Sequence, residues 1–355
     1  MADINVTEPT VEPVVVVEPV VVVPVVEPVV VVPVAAAVDP IIAAKPRRPG
    51  RPPKKKIIDI QIKSQGIVMS PSSADNILEL VYENPRLFKK LFTTFKKYGV
   101  NEITWDFHPD MVKINARDHF NKSTIKIEIY GALLVRYFCK EMFSRCIKRE
   151  SLETHLKSLD KNHTQITFLF TEQTSRSTMH LSIKESEINS CFVHKIDLIK
   201  EAANVVIPQC CENEYPIQFE IPSKPFKQMI ANIHEAKITV LKLEKEGGSE
   251  PLKFSYDAVK KSETAMILAD PDKIKLKCTL DPSDIFSISI GVKDIKPFSD
   301  SSISDTIHIY ADQNKPICLM AELDHKKYQK ADGTILESPV CRIKVFTEIK
   351  RYNNI

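Results

Sequence analysis

Residues 85–98 read PRLFKKLFTTFKKY, a run that sets the frame for the chain around it. Projected at about 100° per residue, Leu87, Phe88, Leu91, Phe92, Phe95 and Tyr98 fall within an arc of about 140°. Lys89, Lys90, Lys96 and Lys97 fall on the other side. Pro85 suits a first helical turn, where its missing N–H costs nothing, and Gly99 suits the exit. The spacing predicts an amphipathic helix whose polar face is cationic and made of lysine. Such a face is either merely solvated or a surface for phosphates, and the helix alone does not separate the two.

Alternating segments follow it. Glu102–Phe107 (EITWDF), Met111–Ala116 (MVKINA) and Thr124–Tyr130 (TIKIEIY) read as antiparallel strands with short turns. Ser151–Leu159 reads as a second helix, and Gln165–Phe170 and Met179–Ile183 as further strands. The pattern then recurs. Phe226–Ile230, after Pro222 and Pro225, echoes Phe88–Phe92, and the strand Lys237–Leu243 echoes the strand after the first helix. Leu252–Tyr256, Thr264–Ala269 and Lys273–Thr279 add strands. Ile285–Ile295 is expected to form a fourth helix despite Gly291, and Thr306–Ala311, Ile317–Leu323 and Cys341–Thr347 close the set. Two halves with the same ingredients point to a duplicated α+β domain, with 194–213 as a connector of little periodicity between them.

The chain ahead of this body has another character. Residues 7–40 alternate valine blocks with Glu-Pro and Pro. Pro13, Pro19, Pro24, Pro28 and Pro33 each remove a helix donor, and Glu18 and Glu27 add charge, so no clean apolar span of about 20 residues survives. The expectation is an extended or disordered spacer, with a sticky strand as the alternative, and neither a membrane span nor a secretory signal. Lys45–Lys56 then packs seven cations into twelve residues. Arg48, Gly50, Arg51 and Pro52 resemble the centre of an AT-hook, in which a flat, proline-stiffened backbone lets Arg enter the narrow minor groove of A·T-rich DNA. Pro49 stands where that motif has Arg. The other reading is a basic tail or a nuclear-import address.

Composition excludes several classes. With 8 Gly and no GxGxxG or GxxxxGK[ST], the common nucleotide-binding loops are absent. The eight cysteines show no CxxC pair and the nine histidines no HExxH, so no zinc site is expected and the thiols read as reduced, in an intracellular protein. No GxSxG occurs, and neither catalytic residues nor cofactors are expected. The net charge is +3, and the first 56 residues hold seven cations and six acids, so the body carries about +2. DNA contact must therefore come from local clustering.

From Ile77 to about Lys350 the chain resembles DNA sliding clamps of the proliferating cell nuclear antigen type. ILELVYENPRLFKKLFTTFKKYG resembles the clamp's first strand and helix; NEITWDF and MVKINARD resemble the next two strands. EYPIQFEIPSKPFKQMI resembles the start of the second domain, and DTIHIYADQNKPICLMAEL and RIKVF the closing strands. On this basis the chain divides into a tail with the basic patch (1–56), a linker (57–76), a first clamp domain (77–193), the interdomain connector (194–213), a second clamp domain (214–350) and a C-terminal tail (351–355). The added N-terminal tail points to a large DNA virus.

The resemblance implies a homotrimeric ring in which helices line the hole, antiparallel sheets form the outer wall, and duplex DNA passes through. Lys89, Lys90, Lys96, Lys97 and Lys157 match the clamp's basic positions or lie beside them; Lys227, Lys293 and Lys296 lie near the third and fourth helices. Lysine suits contact with phosphates that must slide. Gln228 and Ala231 stand where the family has arginines. A pocket beneath the connector would take a hydrophobic plug from a DNA polymerase or other clamp-binding protein, and a clamp loader would open the ring. Val205, Val206, Ile207, Pro208, Pro316 and Phe346 match that pocket, with Arg117 where the family is apolar. The implied function is a non-enzymatic polymerase processivity factor at a nuclear or viral replication site. The alternative is a clamp-fold DNA-binding regulator of viral transcription, anchored by the basic tail.

Overall fold

The computed structural model describes residues 73–172, 177–186, 191–199, 205–208, 212–246, 252–257, 264–268, 275–281, 283–301, 303–329 and 334–350. All lie within one unit, Ile58–Ile355. In the first half β1 (Asn76–Tyr82) leads into α1 (Pro85–Lys97). Then come β2 (Glu102–Phe107), β3 (Met111–Arg117), β4 (Ser123–Tyr130), β5 (Arg136–Cys139) and β6 (Phe143–Lys148). α2 (Arg149–Leu156), β7 (His163–Thr171), β8 (Thr178–Glu185) and β9 (Cys191–Asp197) complete it. The second half opens with β10 (Ile217–Pro222) and α3 (Ser223–Glu235). β11 (Val240–Glu246), β12 (Lys253–Asp257), β13 (Thr264–Leu268), β14 (Lys275–Cys278) and β15 (Ile285–Gly291) follow. α4 (Val292–Asp300), β16 (Thr306–Ala311), β17 (Ile317–Gln329) and β18 (Ile335–Thr347) close the chain.

The order of elements repeats, and so do the pairings. β1 lies between β5 and β7 as β10 lies between β14 and β16, and β2 lies between β3 and β6 as β11 lies between β12 and β15. Each half therefore supplies one five-stranded and one four-stranded set. β18 pairs with β4 in an antiparallel register from Cys341↔Ile129 to Thr347↔Ser123. That pairing fuses the second half's five strands with the first half's four into one nine-stranded sheet. The remaining sets stay separate, β5-β1-β7-β8-β9 and β13-β12-β11-β15.

α1 forms as its period predicts. Leu87, Phe88, Leu91, Phe92 and Phe95 are buried, and Phe88 meets Phe168 of β7 at 4.9 Å between ring centroids. Trp105 of β2 packs on the same Phe168 at 5.3 Å. Each such aromatic contributes about 1.5–3 kcal/mol through burial. The helix ends where Gly99 takes φ +65°; its N–H bonds the Lys96 carbonyl, and the Val100 N–H reaches back to Phe95. A side chain at Gly99 would collide with the His119 ring on the β3–β4 turn, so the glycine satisfies both the left-handed backbone and the close approach.

Three expectations need correction. Ile285–Ile295 is not one helix. IFSISIG is strand β15, pairing along β11 from Ile285↔Glu246 to Gly291↔Val240, and α4 begins at Val292. Its alternation of period two and its β-branched residues outweigh the helical reading, and Gly291 stands at the helix N-cap. The strand expected at Lys237–Leu243 starts only at Val240, because Lys237 takes φ 59° in the turn after α3. The connector does not begin at 194: β9 runs on to Asp197, paired throughout with β8.

Candidate nucleic-acid face and partner groove

The lysines of α1 have divided roles. Lys89 is half-buried, and its Nζ donates to the carbonyls of Lys157 and Leu159, each at 2.8 Å. It therefore closes the open C-terminal end of α2, where orphan carbonyls and the helix dipole favour a cation. Lys96 pairs with Glu153 at 2.9 Å, and Glu153 also takes Arg149 and, at 3.6 Å, Lys157. One carboxylate thus gathers three cations and ties α1 to α2. Lys90 is exposed and makes no ion pair among the described residues.

At the far end of α1 the two halves meet. Burial pulls the Lys97 ammonium below its ordinary range; Asp300 acts in the opposite sense, and Lys227 and Lys296 add to the lowering. That influence places Asp300 and Lys296 of α4 and Lys227 of α3 near Lys97 of α1. Lys296 is bonded to Asp300, one helical turn on. Lys293, on α4, is exposed without an ion pair among the described residues. Three helices from both halves thus bring cations to one place, with Asp300 offsetting part of the charge. Sequence reasoning missed the acids that temper this face. Their signal is legible in retrospect, since Arg149–Glu153–Lys157 and Lys296–Asp300 are i,i+4 pairs.

On the other face, residues 205–208 lie against the nine-stranded sheet and border an open groove of about 880 Å³. Val205, Ile207, Pro208 and Phe346 all line it. Ile207 packs on a cluster of Tyr215, Tyr310, Cys318, Met320 and Phe346, in which Phe346 is only 4% exposed. Two expected members stand apart. Val206 is 72% exposed, and Pro316 lies outside the lining, its carbonyl accepting the Tyr215 hydroxyl at 3.0 Å.

The floor of the groove is polar. Asp106, Lys113, Asn115, Lys126 and Lys344 line it, with Met142 and Phe143 at one side. Glu128 bonds Lys126 at 2.6 Å and Lys344 at 3.5 Å. Burial works to raise its pKa, but the two ammonium groups prevail and hold the carboxyl below the ordinary range. Lys344 also meets Glu212 at 2.8 Å, which ties the segment before β10 to the sheet. Arg117 is exposed and does not line the groove. Arg48, Gly50, Arg51 and Pro52 lie outside the described residues. Among the described residues no cluster of three His, Cys, Asp or Glu side chains is placed to hold a metal, and no helix is long and apolar enough to cross a membrane.

No protein-family model matches the chain. Its sequence is similar to an uncharacterized protein of African swine fever virus. In a South African tick isolate and a Kenyan pig isolate that protein is 27% identical over 292 residues, covering 78% of this chain and 94% of the viral one. The fold is similar to the crystal structure of proliferating cellular nuclear antigen from Entamoeba histolytica. That match has a TM-score of 0.62 and 12% identity, over 78% of this chain and all of the other. The fold is thus the α+β fold of a sliding clamp, and the sequence relatives are viral.

Proposed function

We infer that the chain is one subunit of a closed ring that encircles duplex DNA and tethers a polymerase. One observation carries the reading. Every strand pairing in one half has its counterpart in the other, except β18 with β4. By the internal repeat, the counterpart of β18 is β9 and that of β4 is β13. Both β9 and β13 end their sheets with an outer edge unpaired among the described residues. Joining β9 of one copy to β13 of the next would reproduce the nine-stranded sheet between chains. Such a head-to-tail contact, repeated with a closing rotation, makes a ring. Phe192 and Val193, exposed on β9, are apolar surface that the joint would cover.

The helices then supply the inner face, where lysines contact phosphates without reading bases. The groove under residues 205–208 supplies the docking site for a partner's apolar plug. This role calls for no chemistry at the ring itself, so the protein acts as a processivity factor and not as an enzyme. The fold match and the viral relatives support the reading; the trimeric count and the DNA polymerase and clamp loader as partners rest on the clamp resemblance.

Native mass spectrometry of the full chain tests it. The expected species has three times the 40.2 kDa subunit mass, and a monomer at micromolar concentration would overturn the ring. The groove has its own test. Ile207→Asp should weaken a short peptide carrying an apolar plug by about 30-fold, since anchors of this kind contribute about 2 kcal/mol. Unchanged affinity in calorimetry would remove the groove from the docking role.

A further inference from the structure

His155 on α2 and His194 on β9 stack on one another, with ring centroids 4.1 Å apart and planes 28° apart. Both are half-buried, and neither imidazole makes an ion pair or hydrogen bond with a described residue. On its strand His194 shares a face with the buried Ile196. β9 hydrogen-bonds β8 on one side, with Leu181 opposite His194, and packs on α2. The stacked rings are therefore part of what holds the last strand of its sheet against a helix.

We propose that this histidine pair is a proton-operated latch on β9. With His155 neutral the strand is seated on α2; a proton placed on His155, stacked on the His194 ring, drives it off and, in the ring, loosens the joint between subunits. The consequence for assembly rests on the ring reading, whereas the latch itself rests on the pair.

No charged group among the described residues is bonded to either ring to neutralise an added proton. On α2 the charged neighbours are Glu150 and Glu153, with Lys157 at its end, and Glu153 is committed to Lys96, Arg149 and Lys157. β9 adds Lys195 and Asp197, β8 adds His180, Lys184 and Glu185, β6 adds Arg145 and Lys148, and α1 adds Lys89 and Lys96. None of them bonds either imidazole. Burial, then the charge of His194, holds His155 below the ordinary imidazole range. A state with β9 detached therefore takes up protons first. The stability of the seated state is present above the ordinary value of about 6.5 and is lost as pH falls through the lowered one.

The test uses the full chain at pH 7.5 and pH 5.5, with two readouts: sedimentation, and amide hydrogen exchange of β9 referenced to β8. The variant His155→Phe keeps a stacked ring that takes no proton, and His155→Gln is the second uncharged variant should phenylalanine not fit. The wild-type chain is expected to lose at least tenfold in β9 protection and in association at pH 5.5, while the uncharged variant keeps both. Equal β9 protection at the two pH values in the wild type, or an equal loss in wild type and variant, overturns the latch. A wild-type chain already monomeric at pH 7.5 overturns the ring reading instead, and β9 exchange alone then decides the latch.

Discussion

On the proposed ring, Phe192→Asp combined with Val193→Lys is expected to separate the assembly into single subunits without unfolding them. The two side chains are 48% and 61% exposed on β9, so neither is needed for the subunit's own core, and exposed substitutions of this kind shift stability by about 0.5 kcal/mol or less. At the joint the balance reverses. Apolar anchors in an interface contribute about 2 kcal/mol each, and a charge left unpaired there costs more. A loss of about 4 kcal/mol per joint lowers the association constant by about a factor of 1,000. Sedimentation at micromolar concentration reads the outcome, and the melting temperature of the variant checks that the fold persists. A variant that remains assembled at wild-type affinity would show that the free edge of β9 is not the joint.

Removing the cations at the junction of α1, α3 and α4 has the second large effect. Lys97→Ala with Lys227→Ala and Lys296→Ala deletes three positive charges and leaves Asp300 without its Lys296 partner, so a passing phosphate meets a net negative spot. Each lost phosphate contact lowers the salt slope of DNA binding by about 0.9, and the triple variant is expected to bind a short duplex at least about tenfold more weakly at moderate salt. Lys89→Met is the contrast. Its ammonium is occupied by the carbonyls of Lys157 and Leu159, so the salt slope should stay, while stability falls by about 1 kcal/mol. Fluorescence anisotropy across a salt series separates the two variants. Equal slopes in the wild type and the triple variant would make the junction cluster a solvated surface and nothing more.

Lys89 shows why the candidate site was only partly legible. Helical periodicity places it correctly on the polar side of α1, because a period of 3.6 is a property of the local backbone. Which carbonyls its ammonium meets depends on α2, 68 and 70 residues away at Lys157 and Leu159. The same holds for Phe346, which the resemblance picks as a pocket residue. It does line the groove, yet it is already buried among Tyr215, Tyr310, Cys318 and Met320. The error over Ile285–Ile295 has a local cause: IFSISI carries both a buried alternation and enough aliphatic residues to mimic a helix face, and its pairing with β11 decides between them.

By itself, the sequence determined the helix at 85–97, the strands whose alternation is clean, the repetition of the element order, and the distinct character of the Val/Pro tract and basic patch. All of these are set by neighbours within a few residues, through side-chain period, turn chemistry and proline. The tertiary structure alone decided that β18 closes on β4 while β9 and β13 are left as edges among the described residues, that Lys97 of the first half comes near Lys227, Lys296 and Asp300 of the second, and that His155 meets His194. Those contacts join positions tens to hundreds of residues apart, where chain topology, and not local preference, determines which groups meet.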